Sequence, residues 1–127
     1  MVDDDPSTNY LHTRVIKAGA CAEHVDVVDN GQAAIDFIRK AAAEKKPFPE
    51  LILLDINMPV LNGWEFLEAY KRLPDSEKGN SKIIMLTTSM NPDDELLASE
   101  YSEVSAYYFK PLEKAMLQEI MEKYFPN

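Results

Sequence analysis

The sequence predicts a single α/β domain, a doubly wound parallel sheet with helices on both faces. Three observations carry that prediction. Short apolar runs recur along the chain, and Leu51-Ile52-Leu53-Leu54 is continuously apolar, as a strand buried on both faces requires. Segments with apolar residues at helical spacing separate those runs, so helix and strand alternate. The length of 127 residues suits one domain that folds without covalent staples.

The elements follow in order. Residues 6–18 read as a helix, with Pro6 near its first position and Gly19 as its stop. Val25-Val28 is a weaker strand, because Asp26 puts a charge inside it. Residues 31–43 set Ala34, Ile35, Ile38 and Ala42 on one helical stripe. Leu51-Leu54 is the first strong strand. Residues 63–73 carry Phe66, Leu67, Tyr70 and Leu73 as a helix, which Pro74 ends. Residues 74–81 form a solvated connection. Lys82-Ile83-Ile84-Met85-Leu86 is the next strand. Residues 92 to about 101 form a helix, with Asp93 and Asp94 in the first turn, where the helix dipole favours them. Ala106-Tyr107-Tyr108-Phe109 is an aromatic strand. Residues 112–124 close the chain as a helix with Met116, Leu117, Ile120 and Met121 inward and Pro126 beyond its end.

Composition removes several function classes. A net charge of −9 argues against direct nucleic-acid binding, since phosphates attract Lys and Arg. Cys21 is the only cysteine, which excludes an internal disulfide and a cysteine-based zinc site. Cys21 itself reads as a small hydrophobe, and His12 and His24 read as surface or structural residues. No run approaches the ~20 apolar residues of a membrane span, and the acidic N-terminus does not resemble a signal peptide. The expected location is the cytoplasm, with no membrane partner.

In doubly wound sheets the ligand site lies beyond the carboxyl ends of the strands. Polar residues stand there: Asp3 and Asp4 after Val2, Asp55 after Leu54, Thr87 and Thr88 after Leu86, and Lys110 after Phe109. Carboxylates brought together repel by about 4 kcal/mol per pair at ~4 Å and an effective dielectric near ~20. A hard divalent ion such as Mg²⁺ relieves that repulsion through oxygen ligands. A carboxylate, a divalent ion, a lysine and a hydroxyl together form the electrostatic clamp that phosphoryl transfer needs.

Asp3-Asp4, the segment Leu54-Asp55-Ile56-Asn57-Met58-Pro59 with Gly63, then Thr87, and then Lys110-Pro111 resemble the response-regulator receiver domain. The four blocks stand in the family's order and spacing, and the resemblance covers essentially the whole chain. It implies a flavodoxin-like, five-stranded sheet of order 2-1-3-4-5. It implies that Asp55 is the phosphoacceptor, taking a phosphoryl group from a sensor histidine kinase or a phosphotransfer protein. Asp4 binds Mg²⁺, or Mn²⁺ in its place, directly and Asp3 through a water; Asp55 and the Asn57 carbonyl complete the protein ligands. Lys110 and the Thr88 backbone N–H hold phosphoryl oxygens. Thr87 swings toward the phosphoryl group, and Tyr107 follows as an aromatic switch. Asn57 and Ser89 flank the path of hydrolytic water and tune dephosphorylation. The family often has the Lys110-Pro111 bond in cis. The output surface is the last three elements, acting on an unidentified downstream protein as a monomer or a phosphorylation-linked homodimer. Any enzymatic activity is limited to self-catalysed phosphorylation and dephosphorylation.

The sequence departs from the pattern in two places. Only Met1 and Val2 stand where the family's interior first strand belongs. The expectation is therefore that the natural chain begins earlier; the alternatives are that another molecule supplies the strand or that the fold is compromised. Thr88 occupies a position where the family often has a smaller residue, and its methyl narrows access to Asp55. Elsewhere the plainer readings apply. Asp5 is a solvent residue or helix cap, Trp64 packs locally, and Tyr108 has no role. The chain ends about one helix after Lys110, which suits a stand-alone receiver, a relay intermediate or a domain cut from a larger protein. The alternative function is a phosphorylation-independent, receiver-like interaction module. A phosphatase with an aspartyl nucleophile would need an Asp where Asn57 stands.

Overall fold

The computed structural model describes residues 1–19, 24–46, 49–58, 61–78 and 81–125. Cys21, Pro59, Pro126 and part of the 74–81 connection lie outside the described residues. The elements in chain order are α1 (Pro6–Ala18), α2 (Gly31–Ala43), β1 (Leu51–Leu54), α3 (Gly63–Arg72), β2 (Lys82–Thr87), α4 (Pro92–Ser99), β3 (Val104–Phe109) and α5 (Lys114–Tyr124).

Four helices start on an Asp or Asn whose side chain accepts an orphan N–H of the first turn. Asp5 caps α1, Asn30 caps α2, Asn62 caps α3 and Asn91 caps α4. Asn62 and Glu65 form a reciprocal capping box at α3. The helix expected from residue 112 begins at Lys114, because Glu113 takes an extended backbone as its N-cap. The one expected to reach about 101 stops at Ser99.

The three strands pair in parallel in the order β1-β2-β3. Ile52 lies opposite Ile83, Leu54 opposite Met85, and Thr87 opposite Phe109. Strand alternation divides the core between the two faces. Ile52, Leu54, Ile83 and Met85 pack with Ile35 and Ile38 of α2 and with Phe66, Leu67 and Tyr70 of α3. Leu53, Ile84 and Leu86 pack on the other face with Ile16 of α1 and with Leu117 and Ile120 of α5. Helices therefore cover both faces, as the sequence predicts.

The expected five strands are three among the described residues. The strand expected at 25–28 is reduced to an isolated parallel bridge from Val28 to Val2, and Val2 makes a second bridge to Leu54. The Val2 N–H donates to the Leu53 carbonyl at 2.8 Å, and the Asp55 N–H donates to the Val2 carbonyl at 3.0 Å. On the other side, the Asp3 N–H donates to the Val28 carbonyl at 3.1 Å. Among the described residues, the 25–28 segment meets the Met1–Asp3 segment through this bridge and its flanking hydrogen bonds. Val27 is exposed and Asp26 stays in solvent, as an edge with one charge dictates.

Candidate functional site

The carboxyl ends of Val2, β1, β2 and β3 bring the polar residues together. Asp3 and Asp55 are buried, and Asp4 is exposed beside them. One carboxylate oxygen from each of Asp3, Asp4 and Asp55 lies within 4.8 Å of the others. Oxygen donors at that spacing fit a hard divalent cation. Lys110, just beyond β3, bridges two of them: its Nζ is 2.5 Å from Asp3 Oδ2 and 3.3 Å from Asp55 Oδ2.

The electrostatics follow from burial and charge. Burial pushes the Asp55 carboxyl above the usual range; Lys110 pulls it down, Asp3 pushes it up again, and the balance is upward. Burial alone would lower the Lys110 ammonium. The Asp3 hydrogen bond and the Asp55 and Asp3 charges outweigh that and hold it above the usual lysine range. Asp55 Oδ1 accepts the Ile56 N–H at 2.8 Å, which fixes the carboxylate plane.

Local packing sets Asp55. Gly63 opens α3 directly against it, and the Gly63 N–H donates to the Ile56 carbonyl at 2.8 Å. A Cβ at Gly63 would collide with the Asp55 carbonyl oxygen, so the close approach of α3 to the end of β1 requires glycine.

Thr87 ends β2 fully buried, and its Oγ1 accepts the Ser89 N–H at 3.1 Å. The Lys110 N–H donates to the Thr87 carbonyl at 2.8 Å, joining the ends of β2 and β3. The Lys110-Pro111 bond is cis. Ser89 Oγ donates to Asp94 Oδ2 of α4 at 2.5 Å. Tyr107 is half-buried; its buried hydroxyl lies near the Ser89 side chain without a well-aligned hydrogen bond. Burial, then the Asp94 charge, hold that hydroxyl above its usual range. Thr88 and Asn57 are exposed. Asp5 caps α1, and Trp64 stacks on Tyr101 at 6.1 Å between ring centroids.

Sequence reasoning missed Asn9 and the role of His12. Asn9 Nδ2 donates to the Asp3 carbonyl at 2.8 Å, and His12 Nε2 accepts the Leu112 N–H at 3.1 Å. Both side chains are buried. The available signal was their spacing: with Ile16 they form one inward stripe on α1.

The sequence matches the family described as the response regulator receiver domain over residues 1–122. It is 33% identical over 111 residues to the response regulator Rcp1 of Synechocystis sp., covering 87% of this chain and 74% of that one. Its fold is similar to the crystal structure of a two-component response regulator from Cytophaga hutchinsonii. The TM-score is 0.88 and the identity 32%, over 99% of this chain and 94% of that one. It is also similar to the Mn²⁺-bound form of Rcp1, with a TM-score of 0.76 and 29% identity over 99% and 91% of the two chains. Among the described residues, no helix is long and apolar enough to cross a membrane. An acidic cluster beside a lysine at the carboxyl edge of a parallel sheet, and a match over nearly the whole sequence, agree: the chain belongs to the response regulator receiver domain family.

Proposed function

We propose that this protein is a phospho-accepting switch of two-component signalling, with Asp55 as the acceptor. The observation that carries the reading is the buried Asp55 carboxylate, 3.3 Å from Lys110 and grouped with Asp3 and Asp4. A carboxylate oxygen of Asp55 bonds to the phosphorus of a phosphohistidine on a sensor histidine kinase or phosphotransfer protein, or of a small acyl phosphate. The bond from phosphorus to the donor breaks, and its electron pair leaves with the donor. Water later attacks phosphorus, releasing inorganic phosphate and restoring the carboxylate.

Asp3, Asp4, Asp55 and the Asn57 carbonyl would hold Mg²⁺ or Mn²⁺. Such an ion supplies positive charge that offsets the carboxylates and the phosphoryl oxygens. Lys110 releases Asp3 to pair with a phosphoryl oxygen and stays protonated throughout. The Thr88 N–H and the Thr87 hydroxyl donate to the remaining oxygens. Asn57 and Ser89 stand on the water side and set the hydrolysis rate.

The phosphoryl group adds charge and acceptor oxygens at one point. It shifts the protein toward an active state only through contacts that the resting state lacks. Thr87 turning from the Ser89 N–H is such a contact, and the Tyr107 ring moves into the space it leaves.

The test is intact mass after incubation with acetyl phosphate and Mg²⁺. The expected result is one added phosphoryl group, absent from Asp55→Asn and from a sample stripped of cation. A folded wild-type protein that gains no mass would overturn the reading and favour a phosphorylation-independent interaction module.

A further inference from the structure

Two buried polar side chains on α1 stand outside the acidic cluster; one ends on the backbone of Asp3 and the other on that of Leu112, two residues beyond Lys110. Asn9 and His12 are three residues apart and share one face of the helix. A carbonyl only accepts, so the 2.8 Å contact with the Asp3 carbonyl fixes the Asn9 amide with its nitrogen toward Asp3. Asn9 Oδ1 is then buried with no hydrogen-bond donor from the protein. A backbone N–H only donates, so His12 Nε2 carries no proton where it meets Leu112, and the ring is neutral. Asp3, Asn9, His12 and Asp55 help to line a cavity of about 10 Å³, the space of one water molecule.

These contacts reach the two ends of one ion pair. Asn9 holds the backbone of Asp3; His12 holds Leu112, two residues beyond Lys110. Burying an amide and an imidazole costs about 1–3 kcal/mol each unless they are bonded. Here both bonds are spent on segments that carry site residues rather than on α1 itself.

We infer that α1 is the back wall of the acceptor site: Asn9 is a positioning residue for Asp3, and His12 is a positioning residue for the turn that carries Lys110. The inference rests on the reading of Asp55 as acceptor, and it divides the work. Asn9 governs cation binding through Asp3. His12 governs the transfer step through Lys110.

The experiment compares wild type with Asn9→Leu, Asn9→Ala, His12→Leu and His12→Gln. Three quantities are read: Mn²⁺ affinity by titration, the rate of phosphoryl gain from acetyl phosphate at saturating Mn²⁺, and hydrogen exchange of the Leu112 amide. Both Asn9 variants should weaken Mn²⁺ binding about tenfold, the scale for groups that orient metal ligands, and leave the saturated rate within about twofold. His12→Leu should keep Mn²⁺ affinity, slow the saturated rate about tenfold and speed Leu112 exchange. His12→Gln should recover both, because its Oε1 can accept the same N–H. The inference is overturned if affinity and rate fall together in every variant in proportion to lost stability, or if the Asn9 variants bind Mn²⁺ as wild type does. A wild-type protein that gains no phosphoryl group defeats the acceptor reading alone, since Mn²⁺ affinity and Leu112 exchange still decide the role of α1.

Discussion

β2 and β3 are adjacent strands of equal length, yet they are packed very differently. From Ile83 to Thr87 every residue of β2 is buried, whereas no residue of β3 is fully buried. The helices follow the same division. α3 buries Gly63, Phe66, Leu67 and Tyr70, and α4 buries only Ala98. Met90 is 78% exposed, Leu96 64% and Phe109 40%, all on the β3 side. Elements with few buried contacts open at low free energy, and those that move in switching come from that end of the scale. The comparison teaches a division of labour. The β1–α3–β2 half seats Asp55 on closely packed elements, and under the proposed switch the more loosely packed α4–β3 half is the one that responds.

The largest stability effect should come where the halves are joined. Lys110→Met leaves Asp3 and Asp55 buried without their cation, which typically costs 3–5 kcal/mol, here taken as about 3 because the site edge is open. Urea unfolding without divalent ions should show that loss. Millimolar Mg²⁺ should recover much of it, because the freed carboxylates bind the ion more tightly than in wild type.

Gly63→Ala comes next, and it probes the anchored half. The added Cβ meets the Asp55 carbonyl, so overpacking should cost about 1–3 kcal/mol and slow phosphoryl gain. Leu96→Ala in the looser half should stay within about 0.5 kcal/mol by the same urea measurement. Equal losses at the two positions would break the comparison.

Tyr107→Phe should be smaller and of opposite sign. The hydroxyl is buried without a well-aligned partner, so its removal should stabilise the resting protein by about 0.5–1 kcal/mol in thermal unfolding.

The pH dependence is the mildest effect. Burial, then the Lys110 charge, hold His12 below its ordinary value of 6.5. The unfolded chain therefore binds the proton more readily than the folded one. The contribution of neutral His12 is fully present above about pH 6.5 and is lost as pH falls through its folded value. Denaturation midpoints against pH should bend down below that point, and His12→Gln should flatten the bend.

Much of this architecture was legible in the sequence because its signals are local. Pro6 with Gly19 bound α1, the stripe of Ala34, Ile35, Ile38 and Ala42 marked α2, and four apolar residues bound β1. The cluster of Asp3, Asp4, Asp55 and Lys110 followed from their places at strand ends. What was not legible depends on distant partners. The 25–28 segment forms an isolated bridge to Val2 in place of the expected strand, and β3 starts at Val104 rather than Ala106 because it pairs there with Ile83. The bond from Leu112 to His12 spans 100 residues; helical spacing places His12 on the inward face of α1 but does not name that partner.

The most direct test of the central claim is hydrogen exchange along the backbone before and after phosphoryl loading, with loading checked by mass. The account predicts altered exchange in α4, β3 and the Lys110 turn, with β1 and α3 unchanged. Changes spread evenly over the molecule, or confined to α3, would contradict it.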